Sequence, residues 1–500
     1  MFARIGLIGL VLGLGMLSIG AAHAQEVVTK QYDDGSVYEG TFKDGRQDGT
    51  GTYTLPNGYT YTGAWRDGQI MGQGQARYPN GSVYVGAFEK GKPVGKGKIT
   101  FPDGGTYEGD WTGGAMTGLG VATYANGSVY TGAFVGGKQQ GQGVMTEPGG
   151  TKYDGAWVAG VKQGKGRITY ADGTTYDGAL NAGKRDGTGT LIMPDGLTYL
   201  GDWVGGQING TGKLTQPNGD KYEGSFKDGQ RDGAGKVTYA NGDTYLGDFQ
   251  ADKRQGKGGF SAKDGTRYEG TWVAGRMQGA GVMTYPDSSV YDGAFKADQP
   301  EGTGKITYPD KSTYDGNWTA GVITGKGRAT YASGLVYEGD FVAAKPEGMG
   351  VMTYPDGYNY NGQWKAGQRE GTGTATYKDG TVYTGHFTAG LRDGKGSLKA
   401  PDGFTYVGDW KTGVIEGTGI ATYPGGDVYE GTFKAGKRDG TGKLTYKAGQ
   451  LSEGMWKNGM LMAPTPAAPA PITTTPPATT PPAITPPASG TTTPATGSGG

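Results

Sequence analysis

From Tyr38 onward the chain carries two short runs of alternating apolar and polar residues, and the pair returns every 23 residues. The first run is typified by Tyr38-Glu39-Gly40-Thr41-Phe42, the second by Lys305-Ile306-Thr307-Tyr308. A period of two over so few residues predicts half-buried β-strands. Between the second run and the next copy of the first stands a Pro-Asp-Gly or Pro-Asn-Gly segment, as at Pro56-Asn57-Gly58. Proline fixes φ and glycine accepts a positive φ, so this segment predicts a tight turn. The unit is therefore a hairpin.

Stepping by 23 from Tyr38 meets a tyrosine at every phase through Tyr429, without insertion or deletion. The nineteenth phase is Ser452, where the tyrosine is lost but Gly454 and Trp456 remain. Glycine follows two positions after each of these residues, and an aromatic follows at four, save Leu180. A Gly-x-Gly pair closes the middle of the unit, as at Gly49/Gly51, Gly72/Gly74 and Gly440/Gly442. All nine tryptophans hold the fourth position and alternate with Phe or Leu, apart from the successive Phe226 and Phe249. Spacing large rings with smaller ones helps neighbours interdigitate.

The fold class that follows is all-β. It is an elongated single-layer antiparallel sheet of about 19 tandem 23-residue hairpins, or 38 strands, which must twist or coil. A three-residue turn would set Tyr61 opposite Tyr53, Gly63 opposite Gly51 and Trp65 opposite Gly49, all on one face. Each ring would then cover a glycine across the strand. That explains why glycine stands inside strands, where it costs about 0.5–1 kcal/mol relative to alanine.

Composition agrees with a thin repeat array. Glycine supplies 104 of 500 residues and tyrosine 33. Residues 1–24 differ: Arg4 precedes an apolar Ile5–Ile19 stretch, and Ala22-His23-Ala24 forms a small-x-small cleavage site between Ala24 and Gln25. This reads as a signal peptide and implies an exported chain, in the periplasm, on the outer envelope surface or secreted. There is no cysteine, hence neither a disulfide nor a lipid-modified cysteine. The repeat array is expected over residues 25–462. Residues 463–500 hold neither charge nor aromatic ring, and their Pro/Thr/Ala composition reads as a disordered, polyproline-II-like tail. Lys plus Arg number 47 against 47 Asp plus Glu, a balance that offers nothing to nucleic acid.

The block from Tyr38 to Gly51, Tyr-Glu-Gly-Thr-Phe-Lys-Asp-Gly followed by Gly-x-Gly, resembles the MORN (membrane occupation and recognition nexus) repeat, here in an exported, bacterial-type chain. The frame covers about residues 27–460. The resemblance implies an elongated sheet of hairpins that serves as a scaffold, dimerisation element or adaptor. The family's name reflects proposed phospholipid association.

No catalytic constellation is legible, and the chain reads as a binding protein and not an enzyme, without cofactor or metal. His386 is the one histidine beyond the leader, so zinc clusters and Cys–His pairs have no partners. The carboxylates Glu39, Glu108, Asp154, Glu223, Glu269 and Glu338 follow the tyrosines and should point away from the rings, spread along the outer face. Lys96, Lys98, Lys165, Arg167, Lys326 and Arg328 should share that face. Gly-x-Gly has no following helix or Gly-Lys-Ser/Thr, which excludes a phosphate loop.

The candidate site is the ring face, because a single layer has nothing to cover it and an exposed apolar strip marks an association surface. Its rings are Tyr61 and Trp65, Tyr107 and Trp111, Tyr153 and Trp157, Tyr199 and Trp203, Tyr268 and Trp272, Tyr314 and Trp318, Tyr360 and Trp364, and Tyr406 and Trp410. Two readings stay open. The first is a scaffold that holds protein partners, or a second copy of itself, in an aromatic groove. The alternative is binding of envelope carbohydrate or phospholipid headgroups through the same rings.

Overall fold

The computed structural model describes residues 26–463. The expected leader, its cleavage point at Ala24/Gln25 and nearly all of the Pro/Thr tail lie outside the described residues. The array forms two compact units, residues 26–345 and 346–463. Strands run from β1 (Val27–Gln31) to β28 (Val336–Val342) in the first. The second runs from β29 (Lys345–Thr353), whose first residue closes the preceding unit, to β38 (Leu451–Lys457) and β39 (Met460–Leu461). The two-residue β39 is one strand more than the sequence pattern implies.

Within each unit consecutive strands pair antiparallel, so the sheet is a simple meander of hairpins. Seven-residue strands alternate with nine-residue ones, as in β2 (Val37–Lys43), β3 (Arg46–Thr54) and β4 (Thr60–Arg66). The register expected from the turn is the register found: Tyr53 faces Tyr61, Gly51 faces Gly63 and Gly49 faces Trp65. The turn holds it. Gly58 N–H donates to Leu55 O (3.0 Å), Leu55 N–H to Tyr59 O (2.8 Å), and Gly58 takes φ +89°. The return turn, Asp44-Gly45, has positive φ at both residues (51° and 76°), the hairpin geometry that matches strand twist.

The pairing across that return turn is interrupted. Between Gly40 and Phe42 the register slips, and extra residues of β3 are accommodated as a bulge. Gly49 sits in it at φ +93°. The two glycines of Gly-x-Gly therefore do different jobs. The first permits the bulge; the second belongs to a ladder in which Gly40, Gly51, Gly63 and Gly74 pair in succession.

Tyrosine rings roof this ladder. Tyr38 lies over Gly40 in its own strand and Gly51 in the next, so close that a Cβ on Gly51 would fall 2.5 Å from Tyr38 Cζ. Its hydroxyl donates to Thr41 O (3.0 Å), and Tyr130 does the same to Ala133 O (3.0 Å). Each tryptophan N–H donates to a ladder carbonyl of the preceding strand, as Trp65 to Gly51 (3.2 Å) and Trp157 to Gly143 (3.1 Å). The expectation that tryptophan covers the glycine opposite is thus corrected. Tyrosine covers the ladder, and the tryptophan, or Phe in alternate hairpins, packs edge-to-face on two tyrosines. Trp157 meets Tyr130 at 5.2 Å and Tyr153 at 5.3 Å between centroids.

Burial without water pushes the phenols of Tyr130 and Tyr153 up to about 12. The folded chain holds these protons where the unfolded chain, near pH 10, gives them up. Their contribution is thus constant below about pH 10 and is lost as pH climbs toward 12. Phenolate absorbance and sheet circular dichroism, followed in one alkaline titration, should change together for the ring-row tyrosines. Ionisation of that row near pH 10 with the sheet intact would contradict this packing.

Candidate functional site

The sixteen rings expected to line an open strip are not open. Tyr61, Tyr107, Tyr153, Tyr199, Tyr268, Tyr314, Tyr360 and Tyr406 are buried, and so are Trp65, Trp111, Trp157, Trp203, Trp272, Trp318, Trp364 and Trp410, with 7% the greatest exposure. Within each unit the structure packs them, with the intervening rings, edge-to-face into a row, which is the core. Tyrosines lie down over glycine, and the next hairpin's ring closes against them. Long side chains complete the cover: Arg185 sits 4.1 Å from the Trp203 ring centroid and Arg254 3.9 Å from that of Trp272. The Arg185 and Arg254 guanidinium groups also donate to Gly206 O and Gly275 O (both 3.0 Å). A single layer can bury one face when the rings are flat to it.

The open surface is the other face. There the ladder is bare backbone, and a row of side chains stands on either side. One row holds the residue after each tyrosine with its cross-strand partners, as Val85, Lys98, Glu108 and Val121. The second holds the residue three after the tyrosine and its partners, as Lys96, Asp110 and Leu119. A bulge in every second strand bends the strands here, and the rows rise as rails beside a glycine floor. In the first unit one stretch of this groove, open to solvent, spans ≈ 980 Å³ over Gly86, Gly97, Gly109, Gly120 and Gly132. In the second, ≈ 1090 Å³ lies over Gly396, Gly408, Gly419, Gly431, Gly442 and Gly454.

Comparison with known proteins fits this geometry. The MORN repeat family matches eighteen consecutive segments, from residues 38–58 through 429–450. The chain is a MORN repeat protein. It is also similar to Alsin of Rattus norvegicus, 40% identical over 60 residues, which is 11% of this chain and 4% of that protein. Among solved structures it is similar to the SAS-4 TCP domain of Drosophila melanogaster, in complex with a proline-rich motif of Ana2. Identity there is 19% and the TM-score 0.21, over 31% of this chain and 85% of that one. The TCP10 domain of Danio rerio CPAP, in complex with a STIL peptide, gives 15% and 0.16, over 59% and 100%. At these scores neither structure bears on the site.

The rails of the MORN array carry the charges. Glu39, Glu108, Asp154, Glu223, Glu269 and Glu338 are exposed on the groove face, as alternation required, and His386 stands on the second rail, exposed. Cross-strand ion pairs span neighbouring strands: Lys96–Asp110 (2.6 Å), Lys98–Glu108 (3.4 Å), Lys213–Glu223 (3.0 Å), Lys326–Asp340 (3.3 Å), Arg328–Glu338 (4.0 Å) and Lys395–Asp409 (2.6 Å). The Lys96 hydrogen bond, helped by Leu119 N–H, holds the Asp110 carboxyl below its ordinary range; Lys395 does the same for Asp409. Pairs this exposed add little stability, so their consequence lies in what the groove admits. Between them stand uncovered apolar side chains, notably Leu119 (65% exposed), Val407 (60%) and Met455 (56%). Sequence reasoning placed the flanking charges on this face but did not single out these apolar residues. The signal was present in the apolar residues scattered through an otherwise polar row.

Proposed function

We propose that this MORN array is a binding scaffold that holds an extended protein segment along its glycine-floored groove. One observation carries the reading: the rings are consumed as core, while the opposite face offers a trough whose floor is backbone and whose walls mix apolar side chains with paired charges. Floor N–H and C=O groups are committed to strand pairing, so the rails supply recognition. Val407, Ile420 and Met455 offer apolar contact, and Lys443 with Glu430 and Glu453 offers charge. A slot lined this way suits an extended chain that places side chains against successive strands. The carbohydrate and lipid reading needs ring faces, which this packing hides.

Peptide-display selection on the full chain should return extended segments whose binding falls in two paired variants. These are Val407→Arg with Ile420→Arg, and Val85→Arg with Leu119→Arg. All four side chains are exposed, so the fold should tolerate the changes within about 0.5 kcal/mol each. Selected peptides that bind both variants undiminished would show the groove to be idle.

A further inference from the structure

The groove in the second unit ends where the tail begins. Beyond β38 the chain turns at Asn458-Gly459, and β39 returns along the outer edge, pairing Leu461 with Trp456. Leu461 then leans over Gly454, with Cδ1 3.0 Å from where a Cβ there would stand, in place of the tyrosine lost at Ser452. Met462 N–H donates to Met455 O (2.8 Å), and Met455 lines the groove. The 38 residues from Ala463 to Gly500 thus start beside the mouth of the ≈ 1090 Å³ trough.

We propose that residues 463–488 of this chain lie in that groove and occupy it in the absence of a partner. The inference rests on the groove reading above and names the groove's resident ligand. Three features of the chain support it. The tail carries no charge, and its Pro, Ala, Thr and Ile side chains (Ile472 and Ile484 the largest) match a floor flanked by Val407, Ile420 and Met455. Committed floor groups cannot satisfy an occupant's N–H donors, and proline has none to satisfy. Length suffices as well. The trough crosses six strands from Gly396 to Gly454, about 24 Å at 4.8 Å per strand spacing, whereas 26 residues of polyproline-II chain reach about 80 Å. Occupation by a tethered segment makes the groove selective, because a partner must outbind a ligand held at high effective concentration.

The absence of cysteine makes the test clean. Thr441→Cys, on the second rail, is combined in the full chain with Cys at Ala468, Ile472 or Ala478 and oxidised mildly at low protein concentration. At least one pair should close an intramolecular disulfide about tenfold faster than the same tail cysteine with Lys437→Cys, which is exposed at the hairpin end, outside the trough's lining. Equal rates at both positions, or a disulfide-linked dimer in place of the closed monomer, would overturn the assignment.

A second variant replaces residues 463–488 by Gly and Ser at equal length. It should bind groove-selected peptides more tightly than the natural chain. Unchanged affinity would also count against the tail, while leaving the groove itself standing. Peptide binding insensitive to Val407→Arg with Ile420→Arg sinks the groove reading instead, and the two failures are told apart.

Discussion

Trp157→Ala should cost about 3–5 kcal/mol, the loss expected for a large buried aromatic truncated in a core. Trp157 is 3% exposed, meets Tyr130 and Tyr153 edge-to-face, and donates its indole N–H to Gly143 O. Truncation removes all three contacts at once and opens the roofs of two glycine pairs. Repeat stability is a sum of units and nearest-neighbour interfaces, so the damage should stay local. Hydrogen exchange should accelerate in β10 (Val129–Val135), β11 (Lys138–Thr146), β12 (Lys152–Val158) and β13 (Val161–Thr169), while distant hairpins keep their protection. Trp157→Phe should cost far less, because Phe134 already fills the same place one hairpin earlier, between the same kind of tyrosines. Its loss is the hydrogen bond, about 1 kcal/mol, and part of the ring contact. Equal losses for Ala and Phe, or uniform acceleration along the whole array, would show that this lattice does not hold the sheet together.

Gly143→Ala is the second large effect, and its neighbour Gly141 is the control. A Cβ on Gly143 would stand 2.5 Å from Cε2 and Cζ of Tyr130. Either the ring lifts, giving up its hydroxyl bond to Ala133 O, or the strand shifts. Overpacking of this kind costs about 1–3 kcal/mol, and the broken hydrogen bond adds about 1 kcal/mol. At Gly141 a Cβ meets nothing nearer than Ala133 Cβ at 3.9 Å, but φ is +69°. Alanine there should cost about 1–2 kcal/mol, from the left-handed conformation alone. Asparagine tolerates that conformation and should recover part of the loss at 141, whereas at 143 it should be worse than alanine. Denaturant midpoints of the four variants decide the matter. The same ordering at both positions would mean that the two glycines of the motif are equivalent, contrary to the structure.

Much of this is written in the chain. Strict recurrence from Tyr38 to Ser452 sets the repeat length, Pro56-Asn57-Gly58 sets the turn, and the turn sets Tyr61 opposite Tyr53. Strand alternation then assigns faces, which is why Glu108 and Lys98 stand as a pair opposite the rings. Less was legible about the site. Gly49 and Gly51 look alike as letters; only the slipped pairing beside Gly40 gives one a positive φ and the other a ring overhead. Trp203 looked open because a single layer has no second layer, yet Arg185, from the paired strand of its own hairpin, lies across it.

The sequence alone determined the period, the register across the Pro-Asx-Gly turn, that turn itself and the side of the sheet on which each residue stands. These depend on local geometry, two residues per pleat and a few φ-permissive positions, and local geometry repeats without error. Tertiary structure alone decided which face is closed. Burial depends on how rings tilt over glycine and on which long side chains from the paired strand reach them, and residue spacing does not encode that tilt. The rings were therefore core, and the trough stood behind them.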